Sequence, residues 1–469
     1  MKNFKKFLLT LILILPFAFL LSACSLEPYI VDIEKKYNIG NTTTYVITYS
    51  NGKQKSFTIE NGKDGEDGQS LTIEEIKAYC EENNITIEQF FEAYLDLEIN
   101  FNPVKSATNI AIQSAISLFT EDGSYVYAGS GVIYQMDDDY TYIITNYHVT
   151  HNGNATENAL ATKIMAYQYG EHELVGKDNN NKFIYDNSAI QCEYVGGSDR
   201  YDISVIRAST DKILENNPNA KPIEIADGYE LAETVIAIGN PSGDGLSVTE
   251  GIISVVSEKI QMYYDNSSNY KSIRVMRIDA AVNGGNSGGG LYNINGELVG
   301  IINAKIISSN IENIAYAIPI GNAINVAESI IHNFKTYNSH YPTQAKFKIT
   351  YQETNFRSVY DGEKDQITLY NDIVIHEDPT ENGLGARIGF KKDDIIKSAI
   401  VKRGSDQTTY TFNRSHELTD LCLLLRENDT ICFNIVRNGQ NITIGNLETT
   451  VILASDLARC DTTDDYLNK

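Results

Sequence analysis

Three short segments hold side chains that could do chemistry together. Thr145-Asn146-Tyr147-His148-Val149 puts an imidazole at the end of an apolar strand. Tyr201-Asp202-Ile203-Ser204-Val205-Ile206 puts a carboxylate at the head of a run with the composition of a buried strand. Gly284-Gly285-Asn286-Ser287-Gly288-Gly289 puts a hydroxyl in a loop with almost no side-chain bulk. A serine hydroxyl is a weak nucleophile and needs a base to take its proton. Histidine titrates near neutral pH, so it can accept that proton and return it to a leaving amine. A buried carboxylate fixes the imidazole tautomer and stabilises the imidazolium. Glycines let a backbone turn sharply enough to aim several N–H groups at one point. The N–H groups of Gly285 and Ser287, helped by Asn286, would stabilise an oxyanion, a role in which one lost donor costs about 10²–10³ in rate.

Each segment alone is commonplace. A histidine ending a strand is usually structural, and an aspartate before a strand is usually a turn residue. In the order His148, Asp202, Ser287 within one region of uniform texture they point to acyl transfer. Neighbouring groups fit less well. His151 lies outside the apolar strand, and Asp199 does not abut the buried run Ile203 to Ile206. Asp279, before Ala280-Ala281-Val282, reads as loop support. No second histidine stands at ligand spacing, so no metal is expected, and the chemistry needs no organic cofactor.

The elements that must position these residues read as β-structure. From about 106 to 335, short β-rich runs alternate with Gly and Asn turns: Ser130 to Tyr134, Tyr142 to Thr145, Ile203 to Arg207, Thr234 to Ile238, Gly251 to Val256 and Leu298 to Asn303. That spacing predicts an all-β barrel or sandwich, and the length suffices for two small barrels. Ile320 to Phe334 reads as a closing helix, and residues 336 to 345 as a linker. Residues 346 to 452 read as a small α+β domain. Its strand is Asp372 to His376 and its helix Glu417 to Arg426. Its hairpin runs from Thr430 to Arg437 and from Gln440 to Ile444 around Asn438-Gly439.

The front of the chain differs. Lys2, Lys5 and Lys6 precede an apolar run from Phe7 to Leu21, and Leu21-Ser22-Ala23-Cys24 resembles a bacterial lipobox. Residues 1–23 therefore read as a lipoprotein signal peptide, with a diacylglyceride on Cys24 as the membrane anchor. A single membrane-spanning helix is the plainer reading, but the run is short for one and holds Pro16. Residues 24–105 read as an accessory stalk. It has a hairpin of Thr43 to Tyr49 and Ser56 to Ile59 around Asn51-Gly52, then an acidic spacer from Gly62 to Gly68. Two short helices opened by Thr72 with Glu75 and Thr86 with Gln89 would follow.

Composition excludes other classes. The 469 residues carry 38 Lys plus Arg against 62 Asp plus Glu, a net charge of −24, which repels phosphate backbones and rules out nucleic acid as a partner. Six cysteines are too few for a disulfide scaffold. Cys80, Cys192, Cys422, Cys432 and Cys460 match no zinc pattern and read as mostly buried thiols.

The central region resembles trypsin-like serine proteases of the HtrA/DegP group. The three candidate segments carry the resemblance, with Ile238-Gly239-Asn240-Pro241, Val248-Thr249-Glu250-Gly251-Ile252-Ile253-Ser254, Gly296-Glu297-Leu298-Val299-Gly300-Ile301 and Ala317-Ile318-Pro319. It implies a chymotrypsin-like double β-barrel over 106–335. The segments Leu384-Gly385-Ala386, Ile388 to Ile396 and Phe433 to Gly439 are similar to the PDZ domain that follows the protease in this group. Such a domain binds peptide C-termini by strand addition, here with its carboxylate loop near Phe347-Lys348-Ile349, which lacks the usual Gly-Leu-Gly type of signature. The group usually has Pro where Gly284 and Gly290 stand. Lys305 falls where the wall of the S1 pocket is expected.

The resemblance implies a lipid-anchored endopeptidase on the extracytoplasmic face of a bacterial membrane. Its substrates would be unfolded or damaged exported proteins, and its assembly a homotrimer. One rival is a catalytically silent surface binding or chaperone protein that keeps the barrel; three intact triad residues argue against it. Another is an adhesin or scaffold in which the stalk and the PDZ-like domain act.

Overall fold

A computed structural model describes residues 30–39, 42–49 and 54–60. From 102 to 460 it describes all but 124, 152–159, 171–173, 178–182, 264–269, 304–313 and 363–365. The signal peptide, Cys24, the Asn51-Gly52 turn, the acidic spacer, the two capped helices, Cys80 and Lys305 lie outside the described residues. The chain divides into two compact units, Met1–Lys105 and Ser106–Lys469.

In the first unit, β1 (Ile30–Ile39), β2 (Thr42–Tyr49) and β3 (Gln54–Glu60) form an antiparallel sheet in that order. β2 and β3 are the expected hairpin, with Thr48 paired to Gln54. β1 was not legible, because Asp32, Glu34, Lys35 and Lys36 blur any alternation.

The second unit is mainly β. Its first barrel uses β4 (Ala115–Asp122), β5 (Tyr125–Met136), β6 (Tyr140–Thr145) and β7 (Lys163–Tyr167). After a side hairpin of β8 (Leu174–Lys177) and β9 (Phe183–Tyr185) come β10 (Ile190–Ser198) and β11 (Ile203–Ser209). They close in the order β10-β11-β6-β5-β4-β7. The second barrel uses β12 (Thr234–Gly239), β13 (Ser247–Tyr263), β14 (Tyr270–Ile278), β15 (Gly290–Tyr292), β16 (Leu298–Ile302) and β17 (Ala315–Pro319), closed as β12-β13-β14-β17-β16-β15. This is the expected chymotrypsin-like pair. Closure removes the unpaired edges that short β-branched strands would otherwise expose. Ile116, Leu118, Ile133, Ile143 and Ile206 fill one interior, and Val235, Ile253, Met276, Leu291 and Val299 the other.

The helix Ile320–Tyr337 follows, three residues longer than the sequence suggests, and ends at Asn338 in the left-handed conformation (φ 53°). It packs back on the first barrel, where the Tyr134 hydroxyl donates to Glu328 Oε1 at 2.5 Å.

Beyond it lies a sheet ordered β19 (Tyr351–Asp361), β20 (Gln366–Ile375), β21 (Ile395–Arg403), β23 (Thr430–Arg437), β24 (Gln440–Gly445), with β22 (Asp406–Thr411) beside β21 and β18 (Thr343–Ala345) preceding all. Phe433 is fully buried, with Phe347 and Phe390 edge-on at 5.6 and 5.0 Å between ring centres. The Asn438-Gly439 hairpin is as expected: Arg437 pairs with Gln440, and both turn residues have positive φ. The helix runs Ser415–Leu424, two residues ahead of its expected position, because the Glu417 carboxylate accepts the N–H groups of Asn413 and Arg414 and caps the start there.

Residues 336–345 are not a bare linker. They hold the helix end and β18, and β18 pairs with β25 (Leu457–Arg459), which lies past the expected domain limit at 452. Arg274 of β14 binds Asp420 of the helix Ser415–Leu424 at 2.6 and 2.8 Å, with Asn322 as a further acceptor at 2.7 Å. Burial works against the Arg274 charge, but the Asp420 carboxylate outweighs it and holds the guanidinium above its ordinary value. The last domain is thereby tied to the second barrel.

Candidate active site

Register places the carboxylate. β11 pairs with β6 so that Ser204 faces Thr145, which sets Asp202 beside the turn Asn146–His148. His148 sits just past the strand, on a single helical turn, Tyr147–Thr150. Asp202 is the last residue of the loop between the paired Ser198 and Ile203, and its φ is 52°. Aspartate enters the left-handed region more readily than other residues with a Cβ, and a β-branched residue there would be strained.

Asp202 is fully buried, so every lone pair facing protein needs a donor. Oδ1 accepts the His148 backbone N–H at 2.9 Å. Oδ2 lies 2.7 Å from His148 Nδ1 and accepts Asn303 Nδ2 at 2.7 Å. The Asn146 amide donates to the Asp202 carbonyl at 2.9 Å, which holds the backbone as well. With Nδ1–H turned to the carboxylate, Nε2 carries its lone pair toward Ser287 Oγ, 2.9 Å away. The imidazole is 18% exposed, enough to meet a substrate from the cleft.

Ser287 belongs to the second barrel, just ahead of β15. The loop is strapped to the first barrel by Ser130 of β5. The Ser130 N–H donates to the Ser287 carbonyl at 2.8 Å, and its hydroxyl donates to the Gly285 carbonyl at 2.8 Å while accepting the Asn240 N–H at 2.8 Å. Two glycines make this approach feasible. Gly285 has φ 100°, and a Cβ there would stand 2.1 Å from the Asn240 carbonyl oxygen. Gly288 has φ 84°, and its Cβ would stand 2.3 Å from the Ser130 carbonyl oxygen. The Gly288 N–H donates to the Ile302 carbonyl at 3.0 Å, which brings Asn303 close to the nucleophile loop.

The sequence reading of Asn286 as an amide donor needs correction. Its N–H donates to the Asn283 carbonyl at 3.1 Å inside its own turn and is not available to a substrate oxygen. The remaining neighbours fall as expected. Asp279 Oδ1 accepts the Ile252 N–H at 2.6 Å, and the Asp199 carbonyl accepts the Asp202 N–H at 3.3 Å. No cluster able to hold a metal ion occurs among the described residues.

Residues 129–301 match the family model described as a trypsin-like peptidase domain. By that match this stretch is similar to trypsin-like peptidase domains. The chain is 32% identical over 292 residues to a protein of Staphylococcus epidermidis named serine protease HtrA-like. The match covers 60% of this chain and 43% of that one. It is 30% identical over 311 residues to the Staphylococcus aureus protein of the same name, covering 63% and 35%. The chain thus spans less than half the length of these relatives. Among solved structures, the serine endoprotease from Yersinia pestis aligns at 23% identity with a TM-score of 0.40, over 78% of this chain and all of that one. The HtrA-type protease AlgW with tripeptide aligns at 22% and 0.42, over 73% and 95%.

Asn303, Ser130 and Asn146 were not singled out from sequence. All three stood inside segments noted for other reasons, but nothing in a lone polar residue at a strand end says that it faces a carboxylate or a nucleophile loop.

His151 turns away from the site. Its ring stacks on Tyr147 with centres 3.8 Å apart, and Nδ1 meets Thr150 Oγ1 at 2.9 Å. Burial lowers its pKa from the ordinary 6.5 to about 4. In the unfolded chain the ring takes its proton near 6.5, so between that pH and about 4 only the unfolded state is protonated and falling pH favours unfolding. Chemical denaturation of wild type and His151→Phe across this window should show wild type losing about 3 kcal/mol relative to the variant on going from pH 7 to pH 4. Parallel curves would contradict this reading of His151.

Proposed function

We propose that the chain is an HtrA-type serine endopeptidase that cleaves unfolded or damaged exported polypeptides. The observation that carries this reading is the hydrogen-bonded line from the Asp202 carboxylate through the His148 ring to the Ser287 hydroxyl, at 2.7 and 2.9 Å. An extended substrate lies along the cleft as an added strand. Ser287 Oγ attacks the scissile carbonyl while His148 Nε2 takes the hydroxyl proton. Asp202 holds the ring in the reactive tautomer and balances the imidazolium. The oxyanion is met by the N–H groups of Gly285 and Ser287, with Asn286 shaping the turn between them. His148 then passes the proton to the departing amine, and a water repeats the sequence on the acyl-enzyme.

The curated relatives' name, serine protease HtrA-like, supports the same reading. Residues 346–452 act in it as a PDZ-like reader of peptide C-termini. β19 is the edge strand of their sheet. Phe347 and Ile349 are buried ahead of it, and Lys348 between them has φ 54°, a bend suited to a carboxylate loop. A lipid on Cys24 holds the whole outside the cytoplasmic membrane, since two acyl chains suffice for stable anchoring.

Ser287→Ala should abolish casein hydrolysis, with kcat falling by about 10⁴–10⁶. Retained activity would sink the enzyme reading. Cys24→Ser, expressed with its own leader in a bacterial host, should leave the membrane fraction and fail to incorporate labelled fatty acid; unchanged fractionation and labelling would sink the anchor.

A further inference from the structure

The loop that carries Asp202 is held from behind by the ends of the last domain. β10 runs into this loop at Ser198, and two residues of the loop, Ser198 and Tyr201, bond segments more than 140 positions away. The Tyr201 hydroxyl donates to Gln344 Oε1 of β18 at 3.0 Å, with both residues buried. The Ser198 hydroxyl donates to the Cys460 carbonyl, just past β25, and accepts the Tyr201 N–H at 3.4 Å. The Gly197 N–H donates to the His340 carbonyl at 3.0 Å, and His340 Nδ1 meets the Val195 carbonyl at 2.6 Å. β18 and β25 pair with each other, so the two strands flanking the last domain act on the loop as one piece. Burial raises the Tyr201 phenol well above its ordinary pKa, which keeps it a neutral donor.

We infer that Tyr201 and Gln344 are positioning residues for Asp202, and that the β18–β25 strand pair completes the active centre of the first barrel from outside it. This role for Tyr201 and Gln344 rests on the serine protease activity proposed above. Tyr201 is covalently next to Asp202, and Asp202 sits in a left-handed backbone conformation that it adopts only while its surroundings fix it. The carboxylate makes its bonds to His148 and Asn303 through a side chain with two rotatable bonds. A small rotation of the loop therefore moves Oδ2 relative to Nδ1. A buried tyrosine hydroxyl needs a hydrogen-bond partner. Here its one polar atom is spent on a glutamine from a three-residue strand that pairs only with another three-residue strand.

The test uses the full chain and a fluorogenic peptide, with Tyr201→Phe, Gln344→Met, the double variant, and Ser287→Ala as control. Each single variant removes one hydrogen bond without opening a cavity, so the fold is kept, and the thermal midpoint checks this. The expected result is a fall in kcat of about five- to tenfold with KM unchanged, the size of one lost buried hydrogen bond. The double variant should be no worse than either single one, because both break the same bond. A role in packing alone would instead lower the thermal midpoint and leave kcat of the folded fraction intact. Unchanged kcat in folded Tyr201→Phe and Gln344→Met, with Ser287→Ala inactive, overturns the tether and leaves the protease reading standing. Activity in Ser287→Ala overturns the protease reading itself.

Discussion

The Asp202 carboxylate is a charge with no access to water, and the rest of the site follows from what keeps it there. An isolated buried carboxylate would take up a proton or unfold its surroundings. This one is met by the His148 backbone N–H, by His148 Nδ1 and by Asn303 Nδ2. The three donors come from a helical turn after β6 and from the residue after β16, so both barrels must be closed and in contact before the charge is tolerable. The same bonds aim the imidazole at Ser287.

Contact between the barrels is secured also by Ser130. Its backbone and hydroxyl together bond Ser287, Gly285 and Asn240. A hydroxyl that donates to one loop and accepts from another is fully used, which makes it a tight clamp. Glycine at 285 and 288 is a consequence of that closeness, since any Cβ at either would strike a backbone oxygen. The lack of side-chain bulk seen in the sequence is thus a requirement for backbone approach, and the loop itself is well tied.

Much of this was legible from residue order. The three side chains His148, Asp202 and Ser287, both barrels and the Asn438-Gly439 hairpin each have a local signal: a polar residue abutting an apolar run or set in a glycine-rich loop, β-branched runs between turn residues, a dipeptide that accepts positive φ. What escaped is what has no local signal. β18 and β25 are three residues long and exist only because they pair across more than a hundred positions. β13 extends well past the expected Gly251 to Val256, because Ser257, Glu258, Lys259 and Gln261 break the apolar run while, beyond a register shift after Val255, Glu258, Lys259 and Gln261 keep pairing with β14. Asn303 and Ser130 look like ordinary turn and strand residues until register brings them to the site. The Asn286 amide was misread because glycine-rich composition does not say which N–H the loop uses for itself.

The central claim is that His148 activates Ser287 across the barrel boundary, and covalent trapping measures that directly. Wild type and His148→Ala are each exposed to a peptidyl fluorophosphonate, and the adduct is located by peptide mass spectrometry. The account predicts a single adduct, on Ser287, forming in wild type and slowed by several orders of magnitude without the imidazole. Equal rates in the two proteins, or an adduct elsewhere with Ser287 untouched in folded wild type, would contradict it.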